Sequence, residues 1–220
     1  MATRFVWRLL LSLLALGLPA ALPAQPEPPL TYDQALQELD QPNAENRRSA
    51  VKRLGEIGAM SDTPALIKRL RDADRLTRAF AEYALWQVWS RSGDEKVDAL
   101  FRLGVQQMQE GPGRESLATF SKIIELKPDF AEGWNKRATL YFIMGDYRKS
   151  LADCAEVLKH NPHHFGALAG YGQIYMRLDQ PQRALEYFRR ALYINPNLRG
   201  VEINIRKLEQ EISEERNRAI

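Results

Sequence analysis

The sequence predicts an all-α protein built as a solenoid of paired helices, and three observations carry that prediction. A shift of 34 residues aligns segments 97–130, 131–164 and 165–198 without a gap. A weaker shift of 31 aligns Arg47, Ala50, Leu54 and Ile57 with Arg78, Ala81, Leu85 and Val88. Within each segment the apolar residues recur at three and four positions, the spacing of one helix face. A chain that repeats a two-helix unit cannot bury the apolar face of one unit alone, so the units must stack.

The chain opens with Arg4 and Arg8, then the apolar run 9–18, then the small residues of PAALPA. That order is the pattern of a secretory leader, and the run is shorter than the roughly 18–20 residues that span a bilayer. Cleavage after Ala24 is expected, which lowers the formal charge from +3 to +1. The basic balance is therefore partly a targeting device and points to no nucleic-acid partner. Cys154 is the single cysteine, so no intrachain disulfide can form. Export without disulfides suits a bacterial periplasm.

Residues 25–30 begin with QPEPP and read as a linker. Segment 31–92 is expected to hold an N-terminal cap followed by helices of the 31-residue repeat. Thr31 and Gln34 are spaced as a capping box ahead of the first helix. Pro64 stands in the first turn of a helix started by SDTPALIKRLRD. The stretch 47–72 resembles a short HEAT-like repeat. Segment 93–198 holds the three longer repeats. In segment 199–220, Val201, Ile205, Leu208 and Ile212 form the stripe of a capping helix, and EERNRAI reads as a frayed tail.

Aligning the three longer repeats brings Leu100, Trp134 and Leu168 into one column, and Gly104, Ala138 and Gly172 into another. Gln107, Tyr141 and Tyr175 follow, then Ser116, Ser150 and Ala184, then Phe120, Cys154 and Phe188. Ile123, Val157 and Ala191 make the last apolar column, and Pro128, Pro162 and Pro196 close the units. Small residues let the paired helices approach, large ones fill the flanks, and proline ends the second helix. These columns resemble the tetratricopeptide repeat. The resemblance implies a right-handed α-solenoid of helix-turn-helix repeats, HEAT-like and then tetratricopeptide, closed by a C-terminal capping helix. Gln107, Ser116, Ser150 and Arg137 depart from the family pattern.

Arg137 stands on the packing face with Trp134, Ala138 and Tyr141, in the column of Leu103 and Tyr171. The facing column on the second helix holds Thr119, Asp153 and Tyr187. Arginine and aspartate are thus odd in the same repeat, which predicts a partly buried ion pair between its helices.

Motifs for catalysis are absent: there is no HExxH, GxSxG, GxGxxG or phosphate-binding glycine loop, so no catalytic residue and no cofactor is assigned. His160 falls on a last helical turn, where a cation meets the helix dipole favourably. His163 and His164 fall in the following loop and read as solvated. No carboxylate completes a metal set with these three histidines, so no metal is expected. Cys154 sits in an aromatic core column and reads as an inert thiol. Nine Lys or Arg stand against five Asp or Glu in 44–80. Lys52, Arg53 and Lys68 belong to this excess, which reads as a solvated face with membrane contact as the alternative.

The resemblance also implies a concave groove lined by the first helix of each repeat. Here that face carries Phe101, Val105 and Met108, then Asn135, Thr139 and Phe142, then Ala169, Gln173 and Met176. The lysines and asparagines of the family's carboxylate clamp are replaced by Phe101, Val105, Gly166 and Gly170. The expected ligand is therefore a protein or peptide segment read by side-chain contacts. The expected protein is an exported, non-enzymatic scaffold or adaptor that assists assembly of cell-envelope proteins. The alternatives are a membrane-surface protein and an accessory subunit of an envelope enzyme.

Overall fold

A computed structural model of the chain describes residues 28–218 apart from Pro112. The leader and most of the QPEPP linker lie outside the described residues. The helices are α1 (Tyr32–Glu38), α2 (Ala44–Ile57), α3 (Thr63–Arg69), α4 (Arg75–Trp89), α5 (Glu95–Glu110) and α6 (Arg114–Leu126), followed by α7 (Ala131–Ile143), α8 (Tyr147–His160), α9 (Phe165–Arg177), α10 (Pro181–Ile194) and α11 (Arg199–Arg218). A single 3-10 turn at Met60–Asp62 precedes α3, and no strand occurs among the described residues.

Helix starts follow local chemistry. The Thr31–Gln34 capping box is formed at α1. The Asn43 side chain accepts the Glu45 N–H at 2.9 Å, and the Asp74 carboxylate accepts the Thr77 N–H at 2.8 Å. Such caps satisfy donors that the helix itself leaves open. Gly145, at a φ of 79°, follows the end of α7 and needs the left-handed region. The segment read as a frayed tail is helical through Arg218, so α11 runs 20 residues. Its far turns carry Gln210 Nε2 bonded to Glu214 Oε1 at 2.8 Å, the four-residue spacing that supports exposed helix.

The pairs α5–α6, α7–α8 and α9–α10 are the three repeats, and their interiors show how one column compensates another. A Cβ on Gly104 would lie 2.7 Å from the Phe120 ring, and one on Gly172 would lie 2.4 Å from Phe188. Only glycine admits the ring there. In the middle repeat Ala138 carries the Cβ, and Cys154 stands where the ring would be. Cys154→Phe is therefore expected to overpack against Ala138 and cost about 1–3 kcal/mol. Adding Ala138→Gly, which copies the neighbouring repeats, should recover most of that loss in denaturant unfolding. Unchanged stability of the single variant would refute the compensation.

Helices α1–α4 form their own core from Leu54, Leu66, Leu70, Ala81, Leu85 and Val88, each at most 1% exposed. Their placement differs from a stack that runs end-on into the longer repeats. They lie along the edge made by the inter-repeat loops. Asn197 Nδ2 donates to the Leu70 carbonyl at 2.8 Å, and Asn195 Nδ2 to Glu82 Oε2 at 3.0 Å. Arg71 donates to the Tyr193 and Ile194 carbonyls. Trp89 stacks on His164 at 4.8 Å, and Trp86 meets Phe165 edge-on at 5.3 Å. Leu103 on α5 stays 44% exposed, whereas Tyr171 in its column is 7% exposed. Nothing among the described residues stacks before α5 as each earlier repeat does for the next.

Candidate functional site

A recess opens between the first helices of the second and third repeats. Asn135, Thr139 and Phe142 of α7 face Gly166, Ala169, Gly170 and Gln173 of α9 across a recess of about 140 Å³, with Ser150 and Cys154 at its floor. Its origin is the small-residue substitution just described. With Cys154 in place of an aromatic ring, a Cβ on Gly170 would stop 3.8 Å from its Sγ. Burial pushes the Cys154 thiol up to about 12, so it floors the recess as a thiol and not as a nucleophile. The recess continues past Phe142 and Gln173 to Met176, Arg177 and Asn204 of α11.

Asn135 is held from beneath. Its Nδ2 donates to Glu132 Oε2 at 3.1 Å, which leaves the amide oxygen free to accept. Glu132 is fully buried, with its Oε1 2.8 Å from His164 Nε2. The Ala167 N–H donates to His164 Nδ1 at 3.0 Å. A ring nitrogen that accepts carries no proton, so His164 donates to Glu132 through Nε2–H. Burial alone would raise Glu132. The hydrogen bond from His164, with Lys136 at 3.6 Å and the Asn135 amide, outweighs it and brings the carboxyl down to about 2. His164 is also the N-cap of α9 and the stacking partner of Trp89. One side chain thus caps a helix, holds a buried acid beneath the groove and anchors α4. The solvated loop expected at this position is corrected: His164 is 0% exposed.

Arg137 donates from Nε and Nη2 to the two Asp153 oxygens at 2.8 and 2.9 Å. Its Nη1 adds Ser121 Oγ on α6 at 3.2 Å, and its guanidinium lies 5.0 Å from the Trp134 ring. The hydrogen bond to Asp153 raises the arginine's pKa still further. The charge therefore joins three helices by a forked contact and faces away from the groove.

Of the groove residues expected from sequence, Asn135, Thr139, Phe142, Ala169, Gln173 and Met176 line the recess or its extension. Phe101 does not. It is 7% exposed and packs edge-on against Phe120 and Phe130 at 6.0 and 5.4 Å, so its place in the groove is corrected to core. Val105 and Met108 pack beside it as partly buried neighbours. Gly166 and Gly170, expected only as replaced clamp positions, also line the recess, and Asn204 joins the extension without having been expected there. Extending the 34-residue shift into α11 puts Asn204 in the column of Gly170, and that signal was available in the sequence. Gly166 owes its role to α4, because a Cβ there would sit 2.5 Å from Trp86. Trp86 thus packs against Gly166 behind the lining of the recess.

The basic excess of α2–α4 is largely paired. Arg47 grips Asp72 at 2.7 and 2.8 Å, and Arg48 grips Asp74 likewise. Lys68 and Arg69 meet Asp40 at 2.9 Å, and Arg53 meets Glu56 at 2.9 Å. These contacts hold the module together, which reduces the field available to an anionic surface. No helix among the described residues is long and apolar enough to cross a membrane.

A repeat solenoid with a recess between successive first helices is the architecture of an interaction protein. The tetratricopeptide repeat model matches residues 135–198. A TPR repeat-containing protein of Rhizobium etli is 35% identical over 147 residues, covering 67% of this chain and 71% of its own length. A small glutamine-rich tetratricopeptide repeat-containing protein of Dictyostelium discoideum is 27% identical over 110 residues, or 49% of this chain and 33% of its own. Among solved structures, the first TPR of Spaghetti (RPAP3), bound to the HSP90 peptide SRMEEVD, superposes with a TM-score of 0.52 at 21% identity. It covers 54% of this chain and 94% of its own. That likeness concerns the fold. The chain belongs to the tetratricopeptide-repeat proteins, a family that mediates protein–protein interaction.

Proposed function

We propose that the protein is an exported, non-enzymatic scaffold that holds a segment of a cell-envelope protein in the recess between α7 and α9. The observation that supports this reading most is the lining itself. Asn135 and Gln173 offer amides to a peptide backbone, while Phe142, Ala169 and Met176 offer apolar contact. Charged groups stand only toward the Arg177 end of this lining. Lysines and asparagines for a terminal carboxylate are replaced at Phe101, Val105, Gly166 and Gly170, so an internal, weakly charged segment fits better than an acidic C-terminus. Export is supported by the leader pattern of residues 1–24.

Photo-crosslinking in the native cell envelope tests this. A photoreactive residue at Thr139 or Gln173 should capture a discrete partner in the periplasmic fraction, whereas one at Ala155 on the outer face of α8 should not. Phe142→Ala should weaken capture by about 2 kcal/mol, the usual contribution of an aromatic anchor, with helical circular dichroism unchanged. Equal capture from Ala155 would refute the groove. Loss of capture on charge reversal of Lys52, Arg53 and Lys68, with Phe142→Ala silent, would move recognition to the N-terminal helices.

A further inference from the structure

A second cavity of about 130 Å³ lies where α4 meets the inter-repeat loops, between Trp89 and Arg91 on one side and Lys127, Ala131, His160 and Asn161 on the other. Its polar wall is rich in donors. Asn161 is 2% exposed, and its Oδ1 accepts the His163 N–H at 3.2 Å, which fixes the orientation of the amide. The Nδ2 it turns the other way is buried and has no hydrogen-bond partner among the described residues. An unmet buried donor costs about 1–3 kcal/mol. Helix α7 begins at the same wall, and its N-cap Phe130 supplies no side-chain bond. The Gly133 N–H donates to the Phe130 carbonyl at 3.1 Å, which leaves the Ala131 and Glu132 N–H groups open. They lie at the end of the helix that favours an anion, where the first turn also carries Glu132.

Lys127 and Arg91 bring positive charge to a lining that also holds the Asp129 carboxylate. Arg91 donates to the carbonyls of Gly55 and Gly58 at 2.7 and 2.6 Å, contacts that position it without neutralising it. Lys127 has a carboxylate only at 3.5 Å, on Asp129, which is 69% exposed. His160 lies 3.6 Å from Glu156. The internal repeat shows what such a wall accepts. Lys127, Asn161 and Asn195 share a column, and one repeat later Asn195 Nδ2 is met at 3.0 Å by the carboxylate of Glu82 from α4. At Asn161, α4 offers the Trp89 ring in place of an acid.

We propose that this cavity binds a small carboxylate ligand, which supplies from outside the oxygen pair that Glu82 supplies one repeat on. The carboxylate would accept from Asn161 Nδ2 and the first amides of α7, with Lys127 and Arg91 balancing its charge.

The test is a two-dimensional NMR titration of the purified full chain with sodium acetate, sodium succinate and sodium phosphate, each at ionic strength matched with sodium chloride. Acetate or succinate should shift the Asn161 side-chain amide and the Ala131 backbone amide along a saturating curve. Lys127→Gln should weaken that curve roughly tenfold, as expected for a charge-assisted contact. Asn161→Asp, which keeps the acceptor for His163 but brings its own carboxylate, should abolish it while the rest of the spectrum stays folded. Saturation by phosphate and not by acetate or succinate would overturn the carboxylate assignment. Shifts no different from the chloride control, or binding indifferent to both variants, would overturn the site and leave a water-filled recess.

Discussion

Arg137→Leu alone is expected to destabilise the protein by about 3–5 kcal/mol, because it leaves Asp153 buried without its partner. Asp153 is 4% exposed and accepts both arms of the guanidinium. The pair itself adds little over apolar residues that fill the same space, since taking two charges out of water costs about what their attraction returns. A double variant, Arg137→Leu with Asp153→Tyr, should therefore recover much of the loss. Tyrosine already fills this position in the third repeat, where Tyr187 stacks on Tyr171 at 4.3 Å. The double-mutant cycle, measured by denaturant unfolding, should return a coupling of at least about 1 kcal/mol. Coupling below about 0.5 kcal/mol would mean that solvent screens the pair. Because Arg137 also holds Ser121 on α6, unfolding of the single variant should begin at the junction of the first and second repeats.

His164→Ala should cost a similar amount, about 3–5 kcal/mol, through several losses at once. Glu132 loses its strongest partner at 0% exposure, α9 loses its N-cap, and Trp89 loses the ring it stacks on. His164→Asn separates these effects. Asparagine caps a helix but is too short to replace the ring between Glu132 and Trp89, so it should recover only about 1 kcal/mol. Full recovery would show that capping alone matters. The same pair sets an acid limit. Glu132 ionises at about 2 in the folded chain against an ordinary 4.5. A lowered folded value means stability that is fully present above 4.5 and is lost as the pH falls toward 2. Glu132→Gln should flatten the stability profile across that window, while leaving a hydrogen-bonding side chain beneath Asn135. A fall as steep as in the parent chain would assign the acid transition to other carboxylates.

Both effects reach the groove through short chains of contact. Loss of His164 frees Glu132, and Glu132 is what orients the Asn135 amide. The helices that cover the loop edge thus support residues of the recess, through Trp89 against His164 and Trp86 against Gly166.

Residues a few positions apart carried most of what the sequence by itself determined. The 34-residue columns, the caps at Thr31 and Pro64, and the match of Arg137 to Asp153 all depend on spacing within one unit or on comparison of equal units. Helical geometry fixes which of those side chains meet, so pattern alone sufficed. The same logic placed Asn135, Thr139, Phe142 and Gln173 on one face. Only the tertiary structure decided where α1–α4 sit, because their docking joins residues such as Leu70 and Asn197, 127 positions apart and outside any repeat. From that docking follow the burial of His164, the contact of Trp86 with Gly166 and the cavity beside Asn161. It also decided between Phe101 and Phe142, which share a face by periodicity. The Phe130 ring closes over the first, whereas the Cys154 hollow leaves the second beside open space. Periodicity specifies the direction of a side chain, and whether that direction ends in core or in solvent depends on what packs there from elsewhere in the chain.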